Sequence, residues 1–269
     1  MKDRLKVNKL IGRGEAVEDL RGKIAIVTGS TSGIGRAAAV DLARNGVKVI
    51  VHGMNEERGK QVVDEISLFG GSAVFVRQNL ALPEAPSELV KQAISHWGAL
   101  DILVNNAALI CNKPLEEVQH EDWDSLFAVN VKAPFFLTQA ALPWLKQSGD
   151  GVVINVSSIN RLVNSPNNLV YDAMKAALNH MTRGLSLDLR KANIRVNAIM
   201  PGGTATPMLN EWLKKVDYSS EEIEQIYRHA PYLATPDQIS KVIVFLASKQ
   251  SDWINGAEIP VDGGYYIGE

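Results

Sequence analysis

Residues 23–40 read KIAIVTGSTSGIGRAAAV. A short β-branched run passes directly into a turn carrying Gly29, Gly33 and Gly35, and the turn opens a segment with helical periodicity. Glycine lets a backbone approach a pyrophosphate closely, and a helix start offers free N–H groups at the positive end of its dipole. A glycine cluster alone fits any tight strand–helix turn. Placed between a predicted strand and a predicted helix, near the start of an α/β unit, it has the context of a dinucleotide site.

The same alternation continues downstream. After the first run at 23–28, strand-like runs follow at 47–52 (VKVIVH), 72–76 (SAVFV), 100–104 (LDILV), 151–157 (GVVINVS), 193–199 (NIRVNAI) and 257–261 (AEIPV). Continuous apolar runs suit strands buried on both faces of a parallel sheet. Helical periodicity fills 34–45, 56–68 and 83–97 between them. The pattern predicts an α/β fold: one domain with a doubly wound parallel sheet of about seven strands and helices on both faces. No repeat, low-complexity tract or linker interrupts it.

Composition narrows the class. The chain has 269 residues, 46% hydrophobic and 22% charged, with a formal net charge of −2. That balance suits a soluble globular protein and gives no whole-chain argument for nucleic acid or an anionic membrane. Cys111 is the only cysteine, which excludes an intramolecular disulfide and fits a reducing compartment. No stretch approaches the ~18 apolar residues of a membrane span, and no signal-peptide core is seen, so the cytoplasm is the expected location. Residues 1–20 are polar and glycine-interrupted, and read as a frayed extension or an oligomer contact, with the domain occupying 21–269.

A second stretch, NVSSINRLVNSPNNLVYDAMKAA at 155–177, places Ser158 thirteen residues before Tyr171 and Tyr171 four before Lys175. Apolar residues at 170, 174, 177, 178, 181, 185 and 189 predict a helix over 169–189. Tyr171 and Lys175 then lie one turn apart on one side of it. A free tyrosine, with a pKa near ~10, is a poor proton shuttle at neutral pH, and an ammonium beside it is expected to bring that value down. Alone, such a pair is more often a solvated face. Ser158, at the end of the fifth strand-like run, stands where open α/β sheets hold ligands.

The TGxxxGxG spacing, NNAA at 105–108, Asn130 in FAVNVKAPF, the Ser158–Tyr171–Lys175 set, NAIMPGGTATPM at 197–208 and PVDGG at 260–264 occur in one chain. Together they resemble the short-chain dehydrogenase/reductase family, in its compact single-domain form, over about residues 20–269. The resemblance implies a seven-stranded Rossmann sheet, a nicotinamide cofactor, a small-molecule carbonyl or alcohol substrate, and a homotetramer. It also implies roles. Tyr171 would exchange a proton with the substrate oxygen, Ser158 would hold that oxygen, Lys175 would bind the nicotinamide ribose, and Asn130 would hold a water linking Lys175 to solvent.

Cofactor contacts carry over in the same way. They are the turn Gly29, Ser30, Thr31, Ser32, Gly33, Ile34 and Gly35; then Gly53, Met54 and Asn55 after the second strand; Asn79 and Leu80; Asn106, Ala107 and Ala108; and Pro201, Gly202, Thr204 and Thr206. Ala108 replaces a frequent glycine, and Asn79 a frequent aspartate. The five histidines show no metal spacing, so no metal is expected. Asp262 reads as part of a structural turn. The segment 204–232 falls where the family keeps a substrate lid, with Trp212, Leu213, Val216, Ile223 and Ile226 as packing residues on an amphipathic stretch.

Specificity is expected to reside in two regions. NAD users of this family usually end the second strand with an acid, whereas this chain has Gly53 there, followed by Met54. NADP(H) is therefore favoured over NAD(H), with Asn55, Arg58 and the Ser30–Thr31 turn as phosphate ligands. The loop INRLVNSPNNL at 159–169 borders the reacting carbon, and Asn160 and Arg161, with Gly203, are the expected substrate contacts. Amide and guanidinium groups suit a small polar substrate such as a sugar, sugar acid or oxo-acid. The same residues could equally form turns and a subunit contact. The alternatives are a 3-oxoacyl-[acyl-carrier-protein] reductase, which would need a basic docking patch, and a non-catalytic dinucleotide-binding protein.

Overall fold

A computed structural model describes residues 17–215, 219–221, 224 and 233–268. Seven parallel strands form one sheet in the order β3-β2-β1-β4-β5-β6-β7: β1 Ile24–Val27, β2 Lys48–Gly53, β3 Ser72–Arg77, β4 Ile102–Asn105, β5 Gly151–Val156, β6 Ile194–Pro201 and β7 Glu258–Val261. Every strand anticipated from the sequence is present, with ends displaced by a residue or two. Strand order reverses between β1 and β4, which opens a crevice at their carboxyl ends.

The helices used below are α1 Gly33–Arg44, α2 Glu56–Leu68, α3 Ala85–Trp97, α4 His120–Phe127, α5 Ala133–Ser148, α6 Leu169–Leu189, α7 Pro207–Lys215 and α8 Pro236–Ala247. Ala25, Val27, Ile102 and Val104 pack on one face of the sheet with α1, α2 and α8. Ile24, Ile26 and Leu103 pack on the other with α3 and α5. Alternate side chains of each strand thus enter opposite cores, as a strand's period of two requires.

The domain begins earlier than expected. Glu18–Leu20 form a 3-10 turn, Leu20 is buried, the Val17 amide donates to Asn45 Oδ1 at 2.9 Å, and Asp19 accepts from the Lys249 amide at 2.7 Å. Residues 17–20 therefore belong to the body, because Leu20 contributes to the core despite its polar neighbours. Residues 1–16 lie outside the described residues.

Candidate functional site

The glycine turn is strapped to its neighbours from two sides. Thr28 Oγ1 donates to the Val104 carbonyl and accepts from the amides of Asn106 (2.9 Å) and Ala107 (3.0 Å). Asn106 Nδ2 returns to the carbonyls of Thr28 and Gly29. His52 supplies the second strap: its Nδ1 accepts from the Gly29 amide at 3.2 Å, while Nε2 donates to the Gln78 carbonyl at 3.0 Å. Burial pushes its pKa down to about 4, against a smaller pull from the Gln78 bond, so the ring is neutral at neutral pH. Sequence reasoning missed Thr28 and His52, because each reads as an ordinary strand-end residue.

A cavity of about 920 Å³ runs from this turn across the carboxyl ends of the strands. Gly29, Thr31, Ser32, Gly33, Ile34, Gly53, Met54, Asn79 and Leu80 border it on one side of the switch point, with Asn106, Ala107 and Ala108 on the loop after β4. Ser158, Asn160, Tyr171, Lys175, Pro201, Gly202, Gly203, Thr204 and Thr206 also border it. These residues fit a nicotinamide dinucleotide. Gly29 holds φ +62°, and a Cβ there would stand 2.8 Å from Ala107 Cα. The start of α1 has no side-chain cap and no acid in its first turn, which leaves its amides free for an anion.

Several expected residues take other places. Ser30 is buried; its hydroxyl donates to the Val27 carbonyl and accepts from the His52 amide, so it is not available to a phosphate. Asn55 caps α2 by accepting from the Arg58 amide at 2.9 Å. Gly35 lies under the turn, where a Cβ would overlap Asn106 Nδ2 and the Gly29 carbonyl. Arg161 does not border the cavity: its Nε pairs with Glu258 at 3.1 Å, since a buried-edge carboxylate outcompetes a cleft without one. Asn130 sits in a π-helical turn, 128–132, and its side-chain amide clasps the Leu109 backbone, donating at 2.8 Å and accepting at 2.8 Å.

Tyr171, Ser158 and Lys175 converge. All three are buried, Lys175 Nζ donates to the Val156 carbonyl at 2.8 Å, and Ser158 is hydrogen-bonded to the Tyr171 hydroxyl. Here the expected depression of the tyrosine is not met. Burial pushes Tyr171 up to about 12, partly offset by the Ser158 bond, and pushes Lys175 down to about 7. Loss of hydration penalises the phenolate and the ammonium alike.

Leu109, Ile110, Val129, Met208, Leu209, Trp212, Leu213, Leu233 and Tyr265 make an apolar part of the remaining lining, with Ser125, Ser165 and Asn168 as polar members. Met208, Leu209, Trp212 and Leu213 belong to α7, within the segment anticipated as a lid. Its two ends are joined, with the Ala205 amide donating to Ala234 and the Ala234 amide to Gly203. Val216, Ile223 and Ile226 lie outside the described residues. Asp262 is structural as expected, accepting from the Gly264 and Tyr266 amides. Among the described residues no group of histidine, cysteine and acidic side chains could hold a metal, and no helix is long and apolar enough to cross a membrane.

Comparison with known proteins agrees with this geometry. The family model described as enoyl-(acyl carrier protein) reductase matches residues 29–266. The chain is 36% identical over 254 residues to a short-chain dehydrogenase/reductase of Pestalotiopsis microspora, covering 91% of this chain and 96% of that one. It is 35% identical over 247 residues to cyclopentanol dehydrogenase of a Comamonas species, covering 90% and 96%. A crystal structure from Beutenbergia cavernae, provisionally classed as an NAD(P)-dependent gluconate 5-dehydrogenase and holding NADP at low occupancy, superposes with a TM-score of 0.85 at 31% identity, covering 94% of this chain and all of that one. The chain belongs to the short-chain dehydrogenase/reductase family of NAD(P)-dependent oxidoreductases.

Proposed function

We propose that the protein interconverts a neutral secondary alcohol and its ketone, with Tyr171 as the general acid and base. The convergence of Tyr171, Ser158 and Lys175 on the cavity that the glycine turn also borders carries this reading. When bound, the nicotinamide dinucleotide supplies or accepts the hydride. The chain's own residues handle the proton. Ser158 positions the substrate oxygen beside the Tyr171 hydroxyl, which donates to a forming alkoxide or accepts from an alcohol. A lone phenolate is strongly disfavoured here, so it forms as the partner of a Lys175 ammonium, and the two charges appear together. Lys175 and the Asn106–Ala108 loop would hold the ribose next to the nicotinamide, and the free amides of α1 the pyrophosphate.

Substrate class follows from the lining. Among the described residues Lys175 is the only cation bordering the cavity, and it is committed to Val156. Arg58 stands in an adjoining recess with Met208, Trp212 and the acid Glu211, so of the expected polar substrates the neutral ones fit better than a sugar acid or oxo-acid. Apolar side chains suit a compact ring or branched body, as the kinship with a cyclopentanol dehydrogenase also suggests. A panel of cyclic alcohols, sugars, sugar acids and oxo-acids, read by cofactor absorbance, tests this. Turnover of neutral cyclic alcohols is expected; efficient turnover confined to carboxylates would refute it.

For the cofactor, NADP(H) remains the favoured partner. Among the described residues no acid borders the cavity at the end of β2, where Thr31 packs against Gly53. Arg77, beside Gly53 in register, donates from Nε to the Met54 carbonyl at 3.1 Å. Thr31, Arg58 and Arg77 are thus the groups left to meet a ribose phosphate, replacing Ser30 and Asn55. Exposed Trp123, Phe127, Phe135 and Phe136 along α4 and α5 support self-association, with the homotetramer as the expected form.

A further inference from the structure

Asp172 follows Tyr171 directly, is 5% exposed, and has no cationic partner among the described ion pairs. Both its oxygens accept: Oδ1 from Asn160 Nδ2 at 2.7 Å, Oδ2 from the Ser165 amide at 3.2 Å. Two donors and no acceptor suit the ionised carboxylate. Asn160 Nδ2 also meets Ser165 Oγ at 3.0 Å, so two acceptors fix which way its amide faces. The amide oxygen is thereby turned to Ser158, whose hydroxyl donates to it at 3.3 Å while accepting from the Asn160 backbone amide at 3.1 Å.

We infer that Asp172 and Asn160 are positioning residues that set the hydrogen-bond direction of Ser158 and the charge beside Tyr171. The inference rests on the role proposed for Tyr171. Asn160 would then act through Ser158 and not as the substrate contact expected from its place in the loop. The long bond from Ser158 to Asn160 is easily exchanged, so the serine proton can pass to a ketone oxygen on its arrival. An alcohol directs its single O–H to Tyr171, so the serine proton again turns from Asn160 to the substrate oxygen. The Asp172 charge opposes a phenolate one residue away and so holds the proton on Tyr171. The other groups near Tyr171 are Lys175 on the same helix, the buried Cys111 thiol from the loop after β4, and, next to Cys111, the Lys113–Asp122 pair.

The test compares wild type, Asp172→Asn, Asn160→Ala and Tyr171→Phe on an alcohol that the wild type oxidises. Circular dichroism checks folding, and reduced-cofactor fluorescence measures cofactor affinity. Asn160→Ala should lose at least about tenfold in kcat with cofactor affinity unchanged. Asp172→Asn should move the rising, base-requiring limb of kcat/KM to lower pH by about half a unit or more, since an opposing charge is gone. A folded Asp172→Asn with an unmoved limb, or an Asn160→Ala with wild-type kcat, overturns the inference while the inactivity of Tyr171→Phe leaves the proposed reaction standing. If Asp172→Asn does not fold, Asn160→Ala decides. An active Tyr171→Phe instead removes the reaction scheme itself.

Discussion

The Lys175 ammonium nitrogen lies 5.4 Å from the centre of the Tyr171 ring, with both side chains buried. Burial shifts the two groups in opposite senses, the phenol up to about 12 and the amine down to about 7. Lys175→Met leaves the phenolate without its counter-charge. Alcohol oxidation should fall by at least about a hundredfold, with the residual rate still climbing at the alkaline end of the profile. A profile with the wild-type midpoint would show that the lysine plays no part in the proton transfer.

His52 predicts an acid limit to stability. The unfolded chain protonates this histidine at its ordinary 6.5, and the folded chain only near about 4. Between those values the unfolded state binds more protons, so the stability present above 6.5 is lost as pH falls toward about 4, by about 3 kcal/mol for this group. Urea melts across that window should show the decline, and His52→Leu should flatten it. The same variant leaves the Gly29 amide without its acceptor and should weaken cofactor binding several-fold.

Gly35 is predicted to be intolerant of a single methyl group. In Gly35→Ala the added carbon meets Asn106 Nδ2 and the Gly29 carbonyl, so the turn must move. A loss of about 1–3 kcal/mol of stability is expected, together with cofactor affinity, measured by thermal melting with and without NADPH.

The arginines at the end of β2 should discriminate between cofactors. Arg58→Ala and Arg77→Ala are expected to raise the KM for NADP several-fold each and to leave that for NAD nearly unchanged. Steady-state kinetics with both cofactors checks this, and equal effects on the two would remove these arginines from the phosphate site.

Much of the fold and site is legible in the sequence, for particular reasons. The strands are visible because β1, β4 and β5 are buried on both faces and so carry unbroken apolar runs. The Tyr171–Lys175 pair is visible because helical spacing fixes neighbours four apart. The fate of Arg161 is not, because Glu258 lies far along the chain and reaches it only once β7 joins the sheet edge. Nor is the network of Asp172, whose partners Asn160 and Ser165 come from a loop whose course local spacing does not determine. His52 escapes for the same reason: its contacts to Gly29 and Gln78 exist only after three strands align. The shift of Tyr171 depends on burial, which spacing alone cannot supply.

The central claim is that the Tyr171 hydroxyl moves the proton, and Tyr171→Phe tests it most directly because the ring stays and only the oxygen goes. Single-turnover rates with saturating cofactor, alongside cofactor affinity by fluorescence, separate chemistry from binding. A loss of at least about a hundredfold in the chemical step is predicted, with cofactor affinity little changed. A chemical step within a few-fold of wild type, in a folded variant that binds cofactor normally, would contradict it.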